Sequence, residues 1–538
     1  MPATGYTTSA GRTPRSFAVR VLGVLKDGVA PGNDLIVIRA HSPAIKRAGG
    51  VWAGMSGSPI YARDGRLLGA LSYSFSFGPS NTAGVTPAWA MYRLLHIGAK
   101  RSATMRQHIG FDAAARTQLA RAGAGTTAQL SGGMQPIPTP ISVSGVPARR
   151  FGAVRKLVSK LVPGPFALEA GGTVAPGATA PLSTMRPGAP FVAAISTGDA
   201  TFAGIGTTTA ICNGRALAFG HPMLGAGATN LTMHTGTVIT VQPDPTFSPF
   251  VLANVGGRTG VVTQDRLTGL RARLGATPRH VTKFVTQVSA ATGMRRTSFS
   301  YTPVTGWAPD VGLDAVYYDM LATLQKYGAG TAKLGYAIFG RRDGGRTFSL
   351  RRSDYVASQY DVGFETAYNV YNPLAALAYN RFRHIRFSRV VTHVQVTGEF
   401  HQWSVRSLQV RRNGVWQPPT KLSVAPGSTL LLRAKLVQTN QIAPFRFVRF
   451  TVTVPADATP FGKISVIGGE RFFGRGGAGS FNGLLRNLRH APHNASLTVR
   501  TSFDTGGRSS RSVQTVRLRR PVTGSAGFGV RLAGPAKV

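Results

Sequence analysis

Ser56 sits in the segment Gly54-Met55-Ser56-Gly57-Ser58-Pro59, between the strand-like pairs Val51-Trp52 and Ile60-Tyr61. A serine becomes a nucleophile when its hydroxyl is presented on a tight turn beside a base. Backbone N–H groups must also point at the oxyanion that develops on the attacked carbonyl. Glycines on both sides of Ser56 permit such a turn and the close approach of a carbonyl group. The segment departs from a Gly-x-Ser-x-Gly nucleophile elbow, because position 58 is serine and the turn leads into a strand instead of a helix.

Other side chains able to do chemistry form weaker patterns. His221, His234 and Asp244 are far enough apart to be drawn together as metal ligands only by the fold. The chain has no His-Glu-x-x-His, no Cys/His pair at ligand spacing and no acidic calcium loop, so no metal is expected. Cys212 is the single cysteine, which excludes an intramolecular disulfide framework and reads as a small buried residue. Glycine-rich tracts lack the Lys-Ser/Thr ending of a phosphate loop, so no cofactor is expected either.

The Ser56 segment is similar to the Gly-Asp-Ser-Gly-Gly-Pro turn of chymotrypsin-like peptidases. It resembles more closely the Gly-Met-Ser-Gly-Ser-Pro signature of the SpoIVB-type serine peptidases. The likeness extends through Gly49-Gly50-Val51 before it and Gly65-Arg66-Leu67-Leu68-Gly69-Ala70-Leu71 after it. A second block, Ala218-Phe219-Gly220-His221-Pro222, resembles the family segment that carries the general base. It continues through Met233–Gly236, Ala253–Gly256 and Thr263–Gly269. The resemblance covers about 17–95 and 190–275.

By that resemblance Ser56 is the nucleophile, His221 its base, and the Gly54 and Ser56 amides hold the oxyanion. The chain order is inverted relative to the sporulation peptidase, with Ser56 165 positions before His221. Equivalent triads occur in several chain orders. The family's aspartate upstream of the serine aligns with His41 here, so the third member is open. Asp265, in the family-like Thr-Gln-Asp-Arg block, is the first candidate to orient His221 and Asp34 the second; a Ser–His dyad is the remaining option. Two functions follow. One is a serine endopeptidase acting on protein or peptide substrates; the other is a noncatalytic envelope or cell-surface scaffold that keeps a peptidase-like fold. The resemblance also implies a secreted or envelope location.

The elements that would position these residues are mostly strands. Short β-like runs from Phe17 to Phe75, with an Asp64-Gly65 hairpin turn, suggest a small antiparallel barrel or sandwich as the Ser-bearing β lobe over 1–100, followed by a short helix over Pro87–Leu95. Residues 101–189 read as a Pro/Gly-rich linker with short helices over Ala113–Ala122 and Ala148–Leu161. A His-bearing β lobe follows over 190–275, then a mixed α/β region over 276–385 with its best helix at Asp314–Tyr327. Alternation over 386–538 indicates a C-terminal β-sandwich. The fold class is therefore mostly β, with two small lobes, a mixed region and a sandwich, and the resemblance implies that the two lobes are of trypsin-like peptidase type.

The 538 residues carry 62 Lys+Arg against 19 Asp+Glu, a net charge of +43. Such a surface attracts polyanions nonspecifically and in a salt-dependent way. The basic-aromatic alternation Arg381-Phe382-Arg383-His384-Ile385-Arg386-Phe387 suits base stacking, and equally a strand with arginines on its wet face. No apolar run reaches the roughly 18 residues of a membrane span. Met1–Gly11 shows neither the basic nor the apolar region of a secretory leader, which fits a start inside a longer reading frame.

Overall fold

The computed structural model describes residues 1–98, 108–146, 151–162, 164–175, 177–420, 422–439, 444–469, 477–506 and 508–532. The protein is mostly β and divides into two units, Met1–Lys283 with Phe299–Trp307, and Phe284–Ser298 with Ala308–Val538.

The first unit contains two closed six-stranded barrels. In the first, the strands run in the order Pro59–Ala62, Pro2–Thr7, Arg15–Ala30, Asn33–His41, Thr82–Pro87 and Leu67–Phe75, all antiparallel. The last pairs back onto Pro59–Ala62. Closure leaves no free edge within the ring. Asp64-Gly65 forms the expected turn, with Gly65 at φ +83° and its amide bonded to the Ala62 carbonyl. No strand was expected before Phe17, yet Pro2–Thr7 alternates exposed and buried residues and pairs with Arg15–Ala30.

The second barrel runs Pro190–Gly198, Gly227–Gln242, Phe250–Arg266, Gly269–Leu274, Arg215–Ala218, Phe202–Cys212, and closes by pairing its first and last strands. The two barrels share one apolar core, in which Ile38, Trp52 and Met55 pack with Val192, Ile205 and Val251. Each such buried side chain contributes roughly 1.5–3 kcal/mol. The stretch 101–189, expected as a linker, supplies strands to both barrels. Met134–Pro136 pairs with Leu67–Phe75, and Thr139–Val143 pairs with Phe202–Cys212 and, in parallel, with Phe166–Ala170. A helix occupies Ala113–Arg121, capped by Asp112. The basic helix expected from Ala148 is described from Phe151 to Leu161; residues 148–150 lie outside the described residues.

In the second unit, Gly330–Arg342 pairs on one side with Thr347–Ser358 and on the other with Ile385–Thr397. Helices Ala308–Leu324 and Val362–Ala378 pack on each other and on this sheet. The first begins before the Asp314 start expected from sequence. Further on, two five-stranded sheets enclose a core that includes Leu432, Leu436, Phe450, Val466 and Val499.

Candidate active site

The Ser56 turn is built by local chemistry. Ser42 caps the short helix Pro43–Ala48, Pro43 opens it, and Gly49 at φ +87° ends it by returning its amide to the last turn. The chain then enters Val51–Ala53 and turns at Gly54 (φ +107°) and Gly57 (φ +101°), backbone states that disfavour any Cβ. A Cβ on Gly57 would lie 2.0 Å from the Thr207 carbonyl oxygen and 2.6 Å from the Phe219 nitrogen. Inside the turn the Met55 amide donates to the Trp52 carbonyl and the Ser58 amide to the Met55 carbonyl.

The strand Phe202–Cys212 of the second barrel fastens the turn. The Thr207 amide donates to the Ser56 carbonyl (2.8 Å), the Thr207 hydroxyl to the Gly54 carbonyl (2.9 Å), and the Thr209 hydroxyl to the Gly57 carbonyl (2.7 Å). The carbonyls are thus occupied. Among the described residues no acceptor engages the Gly54 or Ser56 amides, the pair the resemblance assigns to the oxyanion.

His221 is delivered by an equally constrained turn. The strand Arg215–Ala218 ends at Phe219, a fully buried aromatic held at φ +69°, followed by Gly220 at φ +71°. A left-handed conformation at a bulky residue costs of order 1–3 kcal/mol and is held only by its surroundings. Here those surroundings include Phe191 and His221, whose rings lie 6.0 and 5.8 Å from Phe219, edge to face. The Gly220 carbonyl accepts from the Thr86 hydroxyl at 2.7 Å, and Thr86 is bonded to Ser72 at 2.8 Å. The first barrel therefore grips the His221 turn as the second grips the Ser56 turn.

Between these turns Ser56 Oγ and His221 Nε2 are 2.8 Å apart. The other ring nitrogen, Nδ1, lies 2.8 Å from the Pro222 carbonyl oxygen. A carbonyl only accepts, so Nδ1 carries the proton and Nε2 presents a lone pair to the Ser56 hydroxyl. Burial pushes the His221 pKa down to about 4, partly offset by the Pro222 carbonyl. The imidazole is consequently neutral at physiological pH and able to accept a proton. Both residues are buried, Ser56 with 0% and His221 with 1% of its surface exposed.

The structure does not bring Asp265 to the imidazole. Its carboxylate is fully buried and accepts from the Met223 amide at 2.9 Å and the Leu224 amide at 2.7 Å, with the Gly225 and Ala226 amides also facing it. Burial raises its pKa to about 6 against the pull of those amides. Asp265 thus organises the loop that follows His221 and Pro222, and the imidazole is oriented by a backbone carbonyl. Proline supplies that carbonyl with no N–H of its own, a feature no residue-type pattern announces. Asp34 is engaged elsewhere, accepting from Lys26 Nζ at 2.9 Å and the Asp27 amide at 3.0 Å. His41, at the position of the family's aspartate, is exposed at the end of its strand.

The remaining sequence candidates are not gathered into one site. His234 is buried with Nδ1 bonded to the Gly256 carbonyl at 2.9 Å, and Asp244 caps the turn at Thr246 and Phe247. Among the described residues no three His, Cys, Asp or Glu side chains converge as a metal site. Sequence reasoning missed Thr207, Thr209, Ser72 and Thr86, because small hydroxyl residues on strands carry no signal of what they will hold.

No curated protein and no solved structure gives a significant match to the chain. Residues 1–91, which comprise the first barrel, the Ser56 turn and the helix after it, match the family model described as SpoIVB peptidase S55. Over that stretch the chain is similar to the SpoIVB-type serine peptidase family.

Proposed function

We propose that the protein is a serine endopeptidase that uses a Ser56–His221 dyad. Ser56 Oγ attacks the peptide carbonyl while its proton passes to His221 Nε2. The Gly54 and Ser56 amides receive the oxyanion. The tetrahedral species collapses with transfer of that proton to the leaving amine, and water, deprotonated in turn by His221, releases the acyl group and restores Ser56. The observation that carries the proposal is the 2.8 Å Ser56–His221 contact with the tautomer fixed by Pro222. The family match over residues 1–91 supports it. A secreted or envelope location fits the same resemblance. Among the described residues no helix is long and apolar enough to cross a membrane.

One observation favours the alternative, a noncatalytic envelope scaffold. Ser56 and His221 are both buried, and among the described residues no carboxylate is bonded to the imidazole to balance an imidazolium. A substrate reaches Ser56 only after the segments around it move. Labelling of the full chain with a fluorophosphonate, read by mass spectrometry of the Ser56 peptide, separates the two. Labelling that is slow, is accelerated by conditions that promote local opening and is lost in Ser56→Ala supports the peptidase. A folded protein that stays unlabelled under all those conditions supports the scaffold.

A further inference from the structure

The longest acid-free stretch of the second unit lies between Glu399 and Asp457. It forms four strands of one of the five-stranded sheets, in the order Val415–Gln417, Trp403–Arg412, Thr429–Gln438 and Phe445–Thr453. One face of this sheet packs into the sandwich core through Leu408, Val410, Leu432, Ala434, Val448 and Phe450. The other face carries Gln409, Trp416, Arg433, Lys435 and Phe447, which are half-buried, and Phe445 and Arg449, which are exposed, and these residues are unlike those of an ordinary wet face.

Arg433 and Arg449 stand directly opposite each other in the antiparallel register, and Gln409 faces Arg433 from the other side. Like charges directly opposite destabilise a strand pair. A carboxylate is the usual relief, and none of these strands contains one. The cations lean on rings instead. Arg433 lies 4.6 Å from the centre of Trp416 and 3.9 Å from that of Phe447, while Lys435 lies 4.8 Å from that of Phe445. A bond from Arg433 Nε to Gln409 Oε1 at 2.7 Å fixes the guanidinium in place. Phe445 is 54% exposed and meets Phe447 edge to face at 5.5 Å. Neither ring contributes to the sandwich core.

We propose that this outer face binds single-stranded nucleic acid. Uncompensated guanidinium groups are the donors suited to phosphate oxygens, and exposed rings are the groups on which bases stack. A polyanion without planar groups uses only the cations and leaves the rings unexplained. Single-stranded nucleic acid uses both. The inference is independent of the Ser56–His221 chemistry.

The test uses the full chain with fluorescently labelled oligothymidylate, heparin as a polyanion without rings, and vesicles rich in phosphatidylglycerol. The double variant W416A/F445A leaves the net charge unchanged. It is expected to weaken oligothymidylate binding by on the order of 10-fold or more, from lost stacking, and to leave heparin binding as it was. Arg449→Gln is expected to lower the salt slope of oligothymidylate binding by about 1, whereas Arg20→Gln in the first barrel leaves it unchanged. If W416A/F445A folds poorly by circular dichroism, Phe445→Leu keeps the bulk at an exposed site and removes the ring. Equal loss for oligothymidylate and heparin, or no loss from the ring variants, reduces the face to bulk charge and overturns the proposal. Preference for vesicles over oligothymidylate overturns it in favour of a lipid surface.

Discussion

The paired barrels around Ser56 and the outer face around Arg433 handle polar groups in opposite ways. At Ser56 the polar atoms are buried and, apart from the Gly54 and Ser56 amides and the Ser58 hydroxyl, mostly engaged: the turn carbonyls by Thr207 and Thr209, the imidazole by Ser56 and Pro222, and Asp265 by backbone amides. Around Arg433 the cations lean on rings, Arg433 and Lys435 half-buried and Arg449 exposed, with no counter-charge on their strands. A satisfied, buried network is rigid and insensitive to salt, so disrupting it affects geometry and folding together. An uncompensated exposed face contributes little to folding and responds to ionic strength. The same basic composition thus serves two ends, and perturbing each region should give a different signature.

The largest effect is expected at His221. His221→Ala removes the lone pair facing Ser56 Oγ and should slow fluorophosphonate labelling of Ser56 by roughly 10³-fold or more, if the dyad is the reactive unit. Labelling that survives this change at the wild-type rate would detach Ser56 reactivity from the imidazole.

Asp265 comes next. Asp265→Ala leaves the buried Met223 amide and the half-buried Leu224 amide without an acceptor and should cost roughly 2–5 kcal/mol of folding free energy, read as a fall in the melting temperature of the first unit. Asp265→Asn keeps one carbonyl oxygen and should cost about 1–3 kcal/mol. Ser56 labelling should drop in both, because the loop they loosen carries the Pro222 carbonyl that sets the imidazole. A variant that melts early yet labels at the normal rate would confine Asp265 to folding.

Much of this arrangement was legible in the sequence, for definite physical reasons. Glycines at 54, 57 and 220 announce turns because only they adopt those backbone angles without strain, and the alternation in Phe445–Thr453 announces a half-buried strand. The motifs around Ser56 and His221 single out two side chains that the fold brings into contact. The partner of Nδ1 was not, since a backbone carbonyl belongs to no residue type. Asp265 was recognised as important but given the wrong contact: sequence places an acid in the right lobe without saying whether it faces a ring or a loop. Met134–Pro136 and Thr139–Val143 were hidden in a proline-rich stretch, where composition argues for a linker and only long-range pairing makes strands.

A smaller effect is expected from buried acids that lack partners. Asp310 and Asp314, on the helix Ala308–Leu324, are buried. Among the described residues both Asp310 oxygens and one of Asp314 accept no hydrogen bond. Burial raises their pKa values to about 7 and about 8. A carboxyl whose folded pKa lies above its unfolded value stabilises the fold fully below the unfolded pKa, and that stabilisation is lost as pH rises through the folded one. Thermal stability should therefore fall from about pH 4, where the unfolded carboxyls ionise, to about pH 8, by at most about 1.4 kcal/mol per pH unit for each group, and level off above that. Asp314→Asn should flatten that fall. Asp265, met by amides, is raised only to about 6, so a wild-type profile flat between about pH 6 and about pH 8 would mean the unpartnered acids are hydrated after all.

The smallest effect sharpens the contrast most directly. Arg449→Gln removes one of two facing cations while Arg433 keeps its stack on Trp416 and Phe447. Relief of the like-charge pair should stabilise the sandwich by roughly 0.2–0.5 kcal/mol in chemical denaturation at low salt. The lost contact of Arg449 with Trp416, at 6.0 Å, works weakly the other way. Screening acts on the repulsion between these charges far more than on the short contact with the ring, so the gain should shrink or reverse at high salt. A salt-independent loss of stability would instead mean that Arg449 is held by packing. The outer face would then resemble the barrels in satisfying its own polar groups, and the charge argument for an anionic partner would rest on the rings alone.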